Sequence, residues 1–405
     1  MKHVVAFDVS MGKSYWVVYN ADRHCEFEGE IRHTRSDFEG LHACMEKLIE
    51  QDGEQPSIVF EATGVYSRQL ERFMQDHQYT YCLLNPLEAK LQSASMRMHK
   101  TDRSDAHRLA LTHFTVSRRE KEVPNDFFQQ LKSLSRFYQE LDGELSTLRN
   151  RMHKVIQLTF SELETIFTSR SELCLHVIQL FPHPDLVNGL SKTVIRNRIL
   201  KSTDKKLSAG TAEKKAIQLL EAAQNSYPAV SATDVLCDQL RIYVKRYLEI
   251  LRQREALIRQ MEEMSMHRED YQVLLSFPGI GVNTAVRLLA EIGDIRRFDN
   301  PKQLNAFAGI DIRRFQSGKT FFQDKINKRG NKHLRKLLYL VIQNMIKQRR
   351  FGNNHLVEYY DKVKTQPYNK CHKVASIACV NKLLKCLFYL ITHNQHYEYQ
   401  CATRS

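Results

Sequence analysis

The run Lys100-Thr101-Asp102-Arg103-Ser104-Asp105-Ala106-His107-Arg108-Leu109-Ala110 holds residues that could do chemistry. Thr101 or Asp102 reads as a helix cap, and the residues after it favour a helix. Asp102 and Asp105, three residues apart, then share one helical face. Two neighbouring carboxylates repel, which favours a cation between them. No Cys or His stands nearby at ligand spacing, so the cation expected is oxygen-loving Mg²⁺ or Mn²⁺. The plain alternative is a solvated Asp pair held by Arg103 and Arg108. Two more acids stand upstream. Asp8 follows Val4-Val5-Ala6-Phe7 and Glu61 follows Ser57-Ile58-Val59-Phe60, both strand-like runs. As turn or edge residues they would be inert. At strand ends facing the helix they would join Asp102 and Asp105 in one acidic centre.

The elements that must position these acids read as follows. Residues 3 to 9 form a strand, Met11-Gly12-Lys13 a turn, Ser14 to Tyr19 a second strand and Cys25 to Arg32 a third. A helix spans Phe38 to Ile49, capped by Ser36 or Asp37. The strand ending at Phe60 leads through Ala62-Thr63-Gly64 into a helix over Tyr66–His77, and Tyr79 to Leu84 is another strand. Three hairpin-type strands followed by alternating helix and strand is the order of an RNase H-like α/β domain.

From about Pro124 the pattern changes. Phe127, Leu131, Leu134, Tyr138, Leu141, Leu145, Leu148, Met152 and Val155 follow a 4-3-4-3 spacing, the seam of a coiled coil. A second seam runs through Leu236, Leu240, Tyr243, Tyr247, Ile250, Leu257, Met261 and Met264, with Arg254 as its charged interruption. The two helices are expected to pair, within the chain or between chains. Residues 165 to 232 between them are patterned as a helical insertion broken at Pro182, Pro184 and Pro228. Beyond them, Phe277-Pro278-Gly279-Ile280-Gly281 before a helix over Asn283–Glu291 looks like a helix-hairpin-helix. Gly279 and Gly281 would let backbone amides approach a phosphate without reading sequence. Helices are also expected over His333–Ile346 and Lys373–Thr392.

Composition sets the class. At 405 residues, 42% hydrophobic and 26% charged, the chain is expected to form two or three soluble domains. No apolar run is read as long enough for a membrane span, and Met1-Lys2-His3 leads into a strand rather than a signal peptide. Nine Cys without a CxxC pair argue against a zinc site or a disulfide framework, and fit a reducing cytoplasm. Cys371-His372 reads as helix packing rather than a metal fragment. Net charge is +14 and pI about 9.3, which points to a polyanion such as nucleic acid. The charge is concentrated: Ile295 to Arg350 holds 15 Lys+Arg against 3 Asp+Glu.

Taken together, Phe7-Asp8, Phe60-Glu61-Ala62-Thr63-Gly64, Lys100 to Ala106, Phe277 to Gly281, Leu289 to Asp294, Ala308-Gly309-Ile310, Gln316-Ser317-Gly318-Lys319 and Lys328-Arg329-Gly330-Asn331 resemble one family. It is the DEDD transposases of the insertion-sequence "one-ten" type, with Piv-like DNA invertases and bridge-RNA-guided recombinases. The resemblance covers both end regions, in the family's order, but not the middle insertion.

It implies a RuvC-like DEDD domain over 1–120, a coiled-coil arm over 121–265 carrying the insertion at about 165–232, and a C-terminal transposase domain over 266–405. It implies a tetrad of Asp8, Glu61, Asp102 and Asp105 on Mg²⁺ (or Mn²⁺), and Ser317 as the nucleophile. The implied reaction is DNA strand exchange through a covalent phosphoserine. Donor and target DNA, a non-coding guide RNA and a homodimer or homotetramer are the implied partners, on the nucleoid of a prokaryotic cytoplasm.

The residues around Ser317 suit this chemistry. Arg313, Arg314 and Lys319 would offset charge on a phosphorane, and Lys328, Arg329 and Lys332 would contact phosphates. Two other readings compete. One is a metal-dependent nuclease of the Holliday-junction type, in which water attacks and Ser317 is structural. The other is a non-catalytic architectural DNA-binding protein.

Overall fold

The computed structural model describes residues 2–85, 101–116, 118, 126–168, 171–203, 206–313, 316–317, 320–321, 325–350 and 352–399, with backbone only at 313, 316–317 and 320–321. They form two compact units, Met1–Pro124 and Asn125–Ser405.

In the first unit β1 (Val4–Ser10), β2 (Lys13–Tyr19) and β3 (Cys25–Arg32) form an antiparallel meander. Helix α1 (Arg35–Asp52) leads to β4 (Ser57–Glu61), which joins β1 in parallel. Helix α2 (Ser67–Asp76) leads to β5 (Tyr81–Leu84), and α3 (Asp102–His113) follows. The sheet order is β3-β2-β1-β4-β5, which fits an RNase H-like domain. Alternation sorts its two faces. Val5, Phe7, Val9, Ile58 and Phe60 pack with Leu41 and Met45 of α1 and Leu70 of α2. Val4, Ala6, Val17 and Val59 pack with Ala106, Leu109 and Ala110 of α3. The cap of α1 differs from expectation. Thr34 caps it, accepting from the Asp37 amide at 3.4 Å, while Asp37 turns back to accept from the Arg32 amide at 3.0 Å.

The second unit is mostly helical. Helix α4 (Asp126–Thr159) is followed by α5 (Leu163–Ile166), α6 (Glu172–Leu180), α7 (Lys192–Lys201), α8 (Ala209–Asn225) and α9 (Val235–Ser265). Helices α4 and α9 pack along each other, with Leu141, Leu145, Leu148 and Met152 facing Leu240, Tyr247 and Ile250 in one core. Cys174, Val177, Phe181, Ile195, Ile199, Ala212 and Leu219 belong to that same core. The segment read as an insertion is therefore packed onto the long helices. Arg254 sits 4.5 Å over the Tyr138 ring and 3.4 Å from Asp142, so its charge is partnered inside the seam.

Beyond them lie α10 (Glu269–Ser276), α11 (Val282–Ile292) and α12 (Pro301–Ala308). Next come two short ladders, β6 (Ile312–Arg313) with β9 (Lys325–Ile326) and β7 (Gln316–Ser317) with β8 (Thr320–Phe321). Helices α13 (Lys332–Gln348), α14 (His355–Lys364) and α15 (His372–Thr392) complete the unit. One expectation is corrected here. Helix α15 is long and apolar enough to cross a membrane by length and composition. Here its Ala375, Cys379, Val380, Leu383, Leu384 and Leu387 pack into the core with α13 and α14. His372 at its start has both ring nitrogens hydrogen-bonded, to Tyr360 Oη at 2.7 Å and Gln343 Oε1 at 3.0 Å.

His355 gives the second unit a dependence on pH. The ring is buried, stacks on Tyr397 and lies 2.8 Å from its hydroxyl. Burial, helped by Lys382, lowers its pKa from 6.5 to about 4. Between those values the folded ring is neutral and the unfolded ring charged, so the unfolded chain binds more protons. Stability is then full above pH 6.5 and falls as pH drops towards 4, at up to ~1.4 kcal/mol per pH unit. Urea melts of His355→Gln should show a shallower acid loss than the parent; parallel losses would remove His355 as the cause.

Candidate active site

The four acids belong to the first unit. Phe7 is paired with Phe60 in the parallel β1/β4 ladder, so Asp8 and Glu61 follow side by side, Glu61 as the last residue of β4 and Asp8 two residues before the end of β1. Asp8 continues the Val4 and Ala6 side of β1, and Glu61 the Val59 side of β4, so both project towards the α3 face.

Helix α3 runs back over that face. Tyr19, at the end of β2 paired with Val4, lies 2.7 Å from His107, and the Lys2 charge bears on His113. The N-terminus of α3 is thereby directed to the edge where β1 ends. Asp102 there bears on Lys13, the partner of Ser10 in the β1–β2 ladder. The first turn is fixed by a capping box. Thr101 Oγ1 accepts from the Ser104 amide at 3.1 Å, and Ser104 Oγ accepts from the Thr101 amide at 3.0 Å.

Asp8, Glu61 and Asp105 are half-buried and Asp102 is exposed. They share one edge, yet no three of them bring oxygens within 4.8 Å of one another. All donors are hard carboxylate oxygens, and Thr63 Oγ1, two residues past Glu61, is buried without a hydrogen-bond partner. That donor set suits Mg²⁺ or Mn²⁺.

The arginines expected to hold the Asp pair divide their work. Arg108 lies 3.6 Å from Asp105, whereas Arg103 donates to Glu28 of β3 through Nε at 3.0 Å. Glu28 also accepts from His107 Nε2 at 2.7 Å, and these partners, His107 foremost, hold its carboxyl below the usual range. Cys25, Glu28 and His107 bring ligand atoms within 4.8 Å of one another. Glu28 is already engaged by two α3 residues, and together they clasp α3 to β3. Sequence reasoning missed this clasp because its halves lie 75 and 79 residues apart.

In the second unit the glycine motifs pack on each other. A Cβ at Gly330 would lie 2.6 Å from the Phe307 carbonyl oxygen and 2.7 Å from the Gly309 amide. Gly279 has φ +91°, and its Cβ would lie 2.9 Å from Met345 Cγ, so helix α13 closes that side. Gly281 is exposed with open space around it at the start of α11. Lys328, Arg329 and Lys332 are exposed. Gln316–Ser317 pairs with Thr320–Phe321, with Ser317 opposite Thr320, and Arg313 pairs with Lys325. Arg314 and Lys319 lie outside the described residues.

Glu291 was read only as part of a motif. Its side chain is fully buried and accepts from Arg136 at 2.8 Å, Gln139 at 3.2 Å and Asn331 at 2.8 Å. Asn331 caps α13, accepting from the amides of His333 and Leu334. The signal available in the sequence was an acid on the apolar face of a helix, where Leu288 and Ile292 are buried.

Comparison with known proteins places both end regions. Residues 5–161 match a DEDD transposase profile of the IS110 type, and residues 271–360 match the transposase IS116/IS110/IS902 family. A transposase for insertion sequence element IS1111A from Coxiella burnetii is 40% identical over 23% of this chain and 26% of that protein. An uncharacterized 43.6 kDa protein of insertion element IS110 from Streptomyces coelicolor is 22% identical over 74% of this chain and 72% of its own length. A pilin gene-inverting protein from Moraxella bovis is 32% identical over 31% of this chain and 38% of that protein. The chain thus spans well under two thirds of two of these relatives. Both profiles occur in order along the sequence, so the chain is similar to IS110-type transposases over residues 5–161 and 271–360.

Proposed function

We propose that the protein is a transposase and site-specific recombinase that cuts and rejoins DNA strands without net hydrolysis. The observation that carries this reading is Asp8, Glu61, Asp102 and Asp105 on one edge, inside the span matched by the DEDD profile. These acids would hold Mg²⁺ or Mn²⁺, which supplies polarisation of the scissile phosphate when bound. Ser317 is the nucleophile. Its Oγ bonds to phosphorus, the P–O bond to the neighbouring deoxyribose breaks, and the serine proton ends on the released hydroxyl. Attack by a hydroxyl of the exchanging strand reverses the step and frees Ser317. Arg313, Arg314 and Lys319, its neighbours in sequence, offset charge on the phosphorane. Gly279, Gly281, Lys328, Arg329 and Lys332 hold the DNA backbone.

In this reading residues 1–120 are the RuvC-like domain, 121–265 a coiled-coil arm and 266–405 the transposase domain with a helix-hairpin-helix turn. A non-coding bridge RNA selects donor and target, and the active form is a dimer or tetramer.

The test is a denaturing gel on labelled DNA from the element's ends. The parent should yield a covalent protein–DNA adduct, and Ser317→Ala none. Hydrolysed ends with no adduct from the parent would instead favour the water-attack nuclease, with Ser317 structural. Sequencing of RNA that co-purifies with the chain tests the guide.

A further inference from the structure

We infer that the groove between α13 and α15 binds one unpaired nucleic-acid strand, bases against α15 and phosphates against α13. This deepens the reading above and rests on it only in supposing a nucleic-acid substrate. The groove holds about 2100 Å³, and its walls differ in chemistry. Lys332, Arg335, Lys336 and Tyr339 fall at i, i+3, i+4 and i+7 of α13, one continuous stripe. Val374, Ile377, Ala378 and Asn381 fall at the same spacing on α15, a mainly apolar stripe, and Val374 is half exposed.

The ends are cationic too. Lys325 and Lys328 close one and Lys370 and Lys373 the other, where Tyr368 is 52% exposed. None of the described lining residues is Asp or Glu. One end is the β6–β9 ladder, and the chain between those strands carries the β7–β8 ladder with Ser317.

Charge alone would suit any polyanion, but the apolar wall selects among them. A duplex turns its bases inward and offers phosphates on its outside, so Val374 and Ile377 would gain nothing from it. An unpaired strand has two unlike sides, phosphates and open base faces. It matches a cationic stripe opposite an apolar one, with tyrosines for stacking. Tyr339 and Tyr368 are the stacking candidates, because the ring of Tyr359 already carries Lys382 Nζ at 5.0 Å.

The experiment is fluorescence anisotropy on the full chain with labelled dT12, U12 and a 12-base-pair duplex at two salt concentrations. Tyr368→Ala should weaken single-strand binding roughly tenfold, with duplex affinity unchanged. Tyr368→Phe should restore it, since the ring rather than the hydroxyl stacks. Lys336→Ala with Lys373→Ala should weaken the single strand and flatten its salt dependence. Tighter U12 names RNA as the occupant and tighter dT12 names DNA, and either supports the groove. Unchanged single-strand binding in both variants overturns it. So does an equal loss for the duplex in Tyr368→Ala, or displacement of dT12 by polyglutamate at equal charge. None of these outcomes touches adduct formation at Ser317, so the two proposals fail separately.

Discussion

Asp102→Asn should leave a folded protein whose DNA cleavage is slower by on the order of a thousandfold. Asp102 is exposed in the first turn of α3 and contributes nothing to its apolar face. That helix is held by the Thr101 capping box, by Ala106, Leu109 and Ala110 on the sheet, and by the Glu28 clasp. The amide keeps the shape of the side chain and removes its charge. Losing an acid at a helix N-terminus costs the fold only about 0.3–1 kcal/mol. Losing it from a set of hard anionic donors removes several kcal/mol of transition-state stabilisation. The check is a cleavage rate on end DNA with Mg²⁺ or Mn²⁺, beside a thermal melt of the same preparation. A parent-like rate in Asp102→Asn and in Asp105→Asn would mean that the acidic edge is not the reacting centre.

Glu291→Ala should destabilise the second unit by about 3 kcal/mol, the lower end for breaking a buried ion pair because Arg136 keeps a third of its side chain in water. The carboxylate ties α4, through Arg136 and Gln139, to Asn331 at the start of α13. Truncation leaves these donors facing a cavity, and Asn331 loses the contact that orients its cap. Glu291→Gln retains an acceptor and should lose about half as much. The measurement is the urea midpoint at constant slope. A midpoint for Glu291→Ala close to that of the parent would show that solvent takes over the buried donors.

Both predictions bear on what could be read from the residues. The strands around Asp8 and Glu61 were legible because alternation and short turns are local properties. Helix α3 was legible because Thr101 and Asp102, both cap-forming residues, stand directly before a helix-favouring run. The sheet then carries Asp8 and Glu61 to one edge through its register. Arg254 looked like a fault in an apolar seam, because its partners Tyr138 and Asp142 stand more than a hundred residues away. The segment 165–232 looked like an ornament for the same reason, its apolar faces being matched to α4 and α9. Helix α15 was legible as an amphipathic helix to within one residue of its length, but its apolar content was under-read. The glycines of Ala308-Gly309-Ile310 and Lys328-Arg329-Gly330 were grouped correctly as motifs. Their mutual packing across twenty residues is a contact that no spacing rule encodes.

Two guanidiniums, those of Arg254 and Arg287, lie over the ring of Tyr138, each 4.5 Å from its centre. Leucine seams are degenerate, since sliding one helix by seven residues sets leucine against leucine again. Here such a slip would set Arg254 against Leu131 or Leu145, with a cation stranded in hydrocarbon. The two long helices therefore have one axial alignment open to them.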